Sequence, residues 1–323
     1  MGVSANTVET YDSSVIREDL QDALISISPT ETPFMSAIGR RNVANTYFEW
    51  GVVSLTAADS SNRVIEGEAA PGNDALTAAV RQGNYTQISD KVVEVSDTAE
   101  AVNGAGNEQT IAKQIAYKLK ELKRDMETML TANVAASAGA SGTARQTAGL
   151  PAFLRTNASR AGDGADGTTS GSGDSGYVDA AATDGTQRDV TEDLLKSVIA
   201  QCWDAGAEPS VVICGSGVKQ EISTFTGNAT KYKDITDKTL SAAIDVYVSD
   251  FGELTIVPDR FSRGRDCLVL DPNYARVAYL KPTTQKPLAR TGHSERRLIS
   301  VEYGLQIDNE AAHGIVADVN TSY

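Results

Sequence analysis

The stretch from Asn107 to Ala135 constrains this chain more than any other. Apolar residues recur at Ile111, Ile115, Leu119, Leu122, Met126, Met129 or Leu130, and Val134, in steps of three and four. That spacing is the stripe an amphipathic α-helix presents to a core. The predicted helix runs from Asn107 to Ala135, about twice the usual length. Gly104 and Gly106 precede it and Gly139 follows it. Lys113, Lys118, Lys120, Lys123 and Arg124, interleaved with Glu121, Asp125 and Glu127, fill the other face. A stripe this long needs an equally long surface to cover it, and the rest of the chain must supply one.

With 323 residues the chain has room for about two domains with sizeable cores. No run reaches the ~18 apolar residues a membrane span needs, and MGVSANTVETYDSS lacks the basic start and apolar centre of a signal peptide. Folding in a cytoplasm is therefore expected. Cys202, Cys214 and Cys267 are odd in number and each lies inside an apolar run, a pattern of buried thiols and not of a disulfide or metal framework. The net charge of −14 argues against a surface that binds nucleic acid through its phosphates. Half of that charge falls in residues 1–90, where five Arg and no Lys face twelve acidic residues.

At the N-terminal end, Val15, Ile16, Leu20, Ala23, Leu24 and Ile27 have helical spacing, and Pro29 is the stop. Next, TETPFMSAIG reads as a single-turn helix with Thr32 as cap, Pro33 in its first position and Gly39 closing it; Phe34, Met35 and Ile38 are its apolar residues. Two consecutive apolar elements at a chain end look like an arm that docks on something. VANTYFEWGVVSL is β in character, and NYTQISDKVVEVSD is expected to return beside it, with an irregular tip between them. A hairpin that long cannot be stable alone, so it is expected to lie on another chain.

After the long helix only AGLPAFLRT looks anchored, through Leu150, Phe153 and Leu154. Residues 161–185 have the composition of an exposed, mobile loop. Their aspartates (Asp163, Asp166, Asp174, Asp179, Asp184) lack the spacing and terminal Glu of a calcium loop. Thr191 caps a helix whose buried side carries Leu194, Leu195, Val198, Ile199, Cys202 and Trp203, ended by Gly206. SVVIC is a buried strand and GSGVKQEISTF turns into a helix. Gly215 and Gly217 suggest a dinucleotide turn, but the third glycine is absent and no acidic ribose partner is in place. A hairpin about Phe251-Gly252 follows, and RRLISVEYGLQID is the clearest strand, long enough to cross the long helix. AAHGIVADVN is a last apolar element.

Catalytic chemistry is not visible. His293 and His313 have no ligand-spaced partner, and carboxylate pairs in an acidic chain arise by chance. The reading is a non-enzyme with no cofactor or metal.

The order of elements over nearly the whole chain, and above all the Thr32 to Trp50 part of TETPFMSAIGRRNVANTYFEW, resembles the major capsid proteins of tailed bacteriophages with the HK97-type fold, in the group that includes those of SU10-like phages. The resemblance implies an α+β fold made of an N-arm (1–41), an extended β-hairpin E-loop (42–90), a P-domain with the spine helix (91–149, completed by the long strand in 281–307) and an A-domain (150–280). The A-domain carries the insertion 161–185, and 308–323 return to it. It implies self-assembly as hexamers and pentamers into an icosahedral virion shell around double-stranded DNA, with no sequence-specific DNA binding and no membrane contact. Scaffolding, portal and decoration proteins are the partners it allows. The inter-subunit contacts it suggests are Val15, Leu20, Leu24 and Phe34 of the arm, Arg63, Glu66, Glu68 and Asp74 of the E-loop, and Lys113, Lys120, Lys123 and Arg124 of a neighbour's spine helix. Some shells of this fold are stitched by isopeptide bonds from an E-loop Lys, yet this chain has no Lys before Lys91. Encapsulin shells share the architecture and are the alternative; a cytoplasmic α/β nucleotide-binding enzyme using Gly215 to Gly217 is a more distant one.

Overall fold

A computed structural model describes residues 29–67, 69, 77–102, 110–172, 175–225 and 245–320. Val15, Leu20, Leu24, Glu68 and Asp74 lie outside them. Two sheets organise the chain. The first has four strands in the order β1 (Gly39–Asn42), β12 (Ala275–Pro287), β13 (Ser294–Ile307), β4 (Gln87–Ser96). β13 runs antiparallel to both neighbours, while β1 joins β12 in parallel at the edge. The long helix α3 (Ile111–Leu130) lies across β4 and β13 and buries Leu122, Met126 and Leu130 in one core with Ile299, Val301 and Leu305. This is the long strand over the long helix that the two periodicities predict. From Val301 to Ile307 both faces of β13 are buried.

Several local expectations differ. Among the described residues α3 ends at Leu130, five residues short of Ala135. Past Thr131 the backbone bonds elsewhere: the Gly149 amide donates to the Val134 carbonyl and the Ala136 amide to that of Val178. A side chain at Gly149 would collide with the Ala132 carbonyl, so close packing of another segment redirects the chain. Glu127, expected on the polar face, is fully buried. The strand that returns beside β2 (Tyr47–Val52) is β3 (Val80–Tyr85), whereas QISDKVVEVS continues into the four-stranded sheet as β4. Gly39 does not close the single-turn helix α1 (Pro33–Ala37); it opens β1, with Ile38 already extended. β12 joins the first sheet from Ala275, six residues earlier than the expected boundary at Lys281.

The second sheet has six strands in the order β5 (Ala158–Ser159), β14 (Gly314–Val316), β11 (Cys267–Leu270), β8 (Val211–Cys214), β10 (Gly252–Pro258), β9 (Val246–Ser249). Helices α5 (Glu192–Asp204) and α6 (Ser216–Ile222) cover one face through Leu195, Val198, Ile199, Val218 and Ile222. Thr191 caps α5, its hydroxyl accepting the Leu194 amide at 3.4 Å, and Gly206 follows with φ 90°. Trp203 is half exposed, against expectation, because the buried arc of α5 closes with Cys202; the indole stacks on Phe251, ring centroids 5.1 Å apart. The three cysteines are free and buried, and burial pushes the thiols of Cys202 and Cys214 up to about 12. Gly215 packs its Cα against the backbone of Gly264, where an added Cβ would come within 3.0 Å.

The chain passes between the sheets three times, and the crossings are tied together. Short helix α4 (Leu150–Phe153) leads to β5, β11 leads to β12, and β13 leads to β14. Glu310 on the last crossing accepts the amides of Arg155 and Thr156 on the first, at 3.1 and 3.3 Å. Asn157 donates to the carbonyls of Ala311 (2.7 Å) and His313 (3.1 Å). On the middle crossing the Asp271 amide donates to His313 Nδ1 at 3.3 Å, and the Asp308 amide donates to the Tyr274 carbonyl at 2.8 Å.

Candidate assembly surfaces

The β2–β3 hairpin is rooted in the body and bare beyond its root. Phe48 and Trp50 are buried at its base, Trp50 with its ring centroid 6.4 Å from that of Phe153. Asn84, fully buried, donates to Thr147 Oγ1 at 3.0 Å and to the Leu305 carbonyl at 2.8 Å and accepts the Ala148 amide at 3.0 Å. Thr86 donates to Glu302, which also receives Arg145. Past Val52 every residue through Gly67 is exposed, including Val53, Leu55, Val64 and Ile65. Four bare aliphatic side chains on one excursion are unusual for a chain that stays alone. Arg63 and Glu66 lie on this exposed part.

The outer face of α3 exposes Lys120 and Lys123 and leaves Lys113 and Arg124 half-buried. Its charge is mixed: Lys118 pairs with Glu121 at 2.8 Å, and Asp125 takes Lys91 of β4 at 2.6 Å. The hairpin residues Arg63 and Glu66 are not brought to this face within one chain; no ion pair joins them among the described residues.

Phe34 is corrected from an inter-subunit contact to a core residue. It is fully buried with Met35, Ile38, Leu122, Met126 and Leu130 of its own chain. The reason lies in α1: Thr32 gives it no side-chain cap and its first turn has no acidic residue, so its first amides need acceptors from elsewhere. Glu127 of α3 supplies them, with Oε1 accepting the Phe34 amide at 2.6 Å and Oε2 that of Met35 at 2.9 Å. Burial raises the Glu127 carboxyl to about 7; the two amides pull it down and the Asp259 carboxylate pushes it further up. The sequence offers Thr32 as the cap of this helix, so it carries no signal for the Glu127 contact.

The insertion is folded and anchored. β6 (Thr168–Thr169) pairs with β7 (Val178–Ala180), and Val178 is fully buried. Its aspartates serve internal contacts: Asp163 accepts the Thr186 amide (2.8 Å), Asp166 pairs with Arg160 (2.6 Å), and Asp184 pairs with Arg263 and Arg265. The carboxylate of Asp318, a non-glycine residue at φ 61°, accepts the amides of Ala161 (3.1 Å) and Gly185 (2.9 Å) and pairs with Arg265 (2.7 Å).

Three comparisons bear on this architecture. The capsid asymmetric unit of cyanophage A-1(L) superposes with TM-score 0.64 at 13% identity, covering 97% of this chain and 99% of that one. The capsid structure of cyanophage P-SCSP1u gives 0.63 at 11% identity over 99% and 97%. The SrpI encapsulin of Synechococcus elongatus PCC 7942 gives 0.58 at 10% identity over 98% and 97%. At these identities the likeness is one of fold, the HK97-type capsid fold. The major capsid protein of Escherichia phage Phieco32 is 34% identical over 121 residues, 38% of this chain and 34% of that protein. The matched stretch thus spans about a third of this curated relative. The sequence profile of the SU10 major capsid protein matches residues 3–320, nearly the whole length, and the chain belongs to that family.

Proposed function

We propose that this chain is the repeating unit of an icosahedral phage shell. Copies associate as hexamers and pentamers and close around packaged double-stranded DNA in the virion, after assembly in the host cytoplasm. In that reading residues 1–32 act as the N-arm, β2–β3 with its tip as the E-loop, the four-stranded sheet with α3 as the P-domain and the six-stranded sheet as the A-domain. The observation that carries it is the hairpin: Val53, Leu55, Val64 and Ile65 are exposed on an excursion that one chain cannot cover. A neighbouring copy covers it.

Glu66, with Glu68 and Asp74 of the tip, then faces Lys113, Lys120, Lys123 and Arg124 on a neighbour's α3. Arg63 of the same excursion joins the contact. Each exposed pair contributes only about 0.2–1 kcal/mol, and repetition over a shell multiplies it. A net charge of −14 favours a wall past which DNA slides over one to which it sticks.

Electron microscopy of the purified protein tests the reading, with closed shells or capsomers expected and a compact monomer counting against it. Removing residues 1–28 leaves the core helix α1 in place and is expected to give a folded chain that fails to close shells. Normal shells from that truncation would remove the arm from the mechanism. Glu66→Lys with Glu68→Lys is expected to impair assembly most at low salt. Shells emptied of DNA but holding a protein cargo would favour the encapsulin alternative, for which the SrpI likeness speaks.

A further inference from the structure

Among the described residues the insertion is hydrogen-bonded to the assembly hairpin at Gly176. The Gly83 amide of β3 donates to the Gly176 carbonyl at 2.8 Å, and the Gly176 amide donates to the Arg81 carbonyl at 2.8 Å, forming a short parallel bridge at Gln82. Beside it the Tyr177 ring meets Tyr85 edge-on at 5.2 Å and 72° and Tyr47 at 6.3 Å and 83°; Tyr47 and Tyr85 are 4.8 Å apart. The three rings therefore span β2, β3 and the insertion. Gly176 has φ +85°, and a side chain there would strike Ser170, so the crossing is built around a glycine. Behind the crossing, β7 is pinned to the body by the Ala136 amide on the Val178 carbonyl, at 2.9 Å.

We propose that the β6–β7 hairpin is a strap that sets the angle at which β2–β3 leaves the body, with Gly176 and Tyr177 as positioning residues for assembly. A two-stranded hairpin bends easily where it leaves a sheet. Its strands rise about 3.3 Å per residue, so an angular error at the base grows along the excursion. β2 occupies one edge of β3; Gly176 takes hydrogen-bonding groups on the other, and the tyrosines wedge the corner. The strap acts only through the hairpin, and its importance for assembly rests on the reading that a neighbour covers the tip.

The test places spin labels on Ser60→Cys and Thr128→Cys in dissociated subunits; the three native cysteines are buried and do not compete. Tyr177→Phe keeps the ring contacts and is expected to match the unmutated strap, with one narrow distance distribution. Tyr177→Ala is expected to widen it at least twofold, to speed exchange of the Gly83 amide by about tenfold or more, and to give open or misshapen shells. Where the alanine variant does not fold, Tyr177→Leu fills the corner without the edge-on contacts and is read in the same way. An unchanged distance distribution with full Gly83 protection overturns the strap, whatever the shells look like. A widened distribution with normal shells overturns the assembly reading of the hairpin and leaves the strap standing.

Discussion

Glu127 and Phe34 are 93 residues apart in sequence, and the Phe34 amide sits 2.6 Å from the Glu127 carboxylate. That contact ties α1 to the long helix. Residues from Pro33 onward belong to the body because a buried acid on the long helix completes the first turn of α1. Deleting to residue 40 therefore removes the core side chains Phe34, Met35 and Ile38, which is why the informative truncation stops at residue 28.

The same carboxyl fixes a pH dependence. Its folded pKa of about 7 lies above its ordinary 4.5, so the folded state holds the extra proton and stability falls as pH rises from about 4.5 through about 7. The slope is about 1.4 kcal/mol per pH unit at most. Glu127→Gln removes this falling limb. It also leaves one of the two amides without an acceptor, at a cost of about 1–3 kcal/mol that is clearest near pH 5. Urea midpoints at pH 5, 7 and 8.5 check it; a deficit equal at all three pH values would mean that Glu127 does not titrate in this range.

His313 tilts the other way. Burial lowers its pKa to about 4 from 6.5, so its contribution is fully present above pH 6.5 and is lost as pH falls towards 4. The two limbs nearly cancel between about pH 4.5 and 6.5 in the intact protein. Relative to the unmutated protein, His313→Gln is expected to make the slope of stability against pH more negative across that window, and Glu127→Gln to make it more positive. Changes of slope of the same sign in both variants would refute the assignment.

Asn84→Ala strands the Ala148 amide and the Leu305 carbonyl in the core. Each stranded group costs about 1–3 kcal/mol, so a loss of roughly 2–6 kcal/mol and a clearly lower Tm are expected. Asn84→Asp keeps the acceptor for Ala148 but not the donor to Leu305, and a loss as large as that of alanine is expected once the unpaired charge is counted. A change under 0.5 kcal/mol in either variant would show that the root of the hairpin is held elsewhere.

Boiling assembled particles in detergent is expected to release single chains of 34.1 kDa. An isopeptide bond needs a deprotonatable amine on the hairpin; no Lys precedes Lys91, and guanidinium stays protonated at Arg63 and Arg81. Lys91 itself lies in β4 and is engaged with Asp125. A covalent ladder on a reducing gel, traced to a Lys bond, would contradict this.

Periodicity made the large pieces legible. The stripe from Ile111 to Leu130 and the alternation of Arg297 to Ile307 named the helix and the strand that cover each other, and Thr191 and Gly206 bounded α5. What stayed hidden depends on contacts between distant segments. A Glu in a charged helix reads as surface until an uncapped turn 93 residues earlier claims it. A Gly, Ser and Asp stretch reads as loose because polar backbone bonds, which leave no hydrophobic period, are what hold it. The hairpin pairing slipped for a related reason: Val80–Tyr85 contains Arg, Gln, Gly and Asn, and its burial comes from the body behind it. Of the suggested contact residues, Arg63, Glu66, Lys120 and Lys123 are exposed and available, and Phe34 is not.

The three tied crossings between the sheets have a mechanical meaning. A body joined by one strand swivels and a body joined by two hinges about the line between them, but three separate legs fix it in every rotation. Here the legs are also laced to one another through Glu310, Asn157 and His313. The two halves of the subunit are thus built to keep one relative orientation, and curvature of any lattice they form has to be accommodated at its outlying parts.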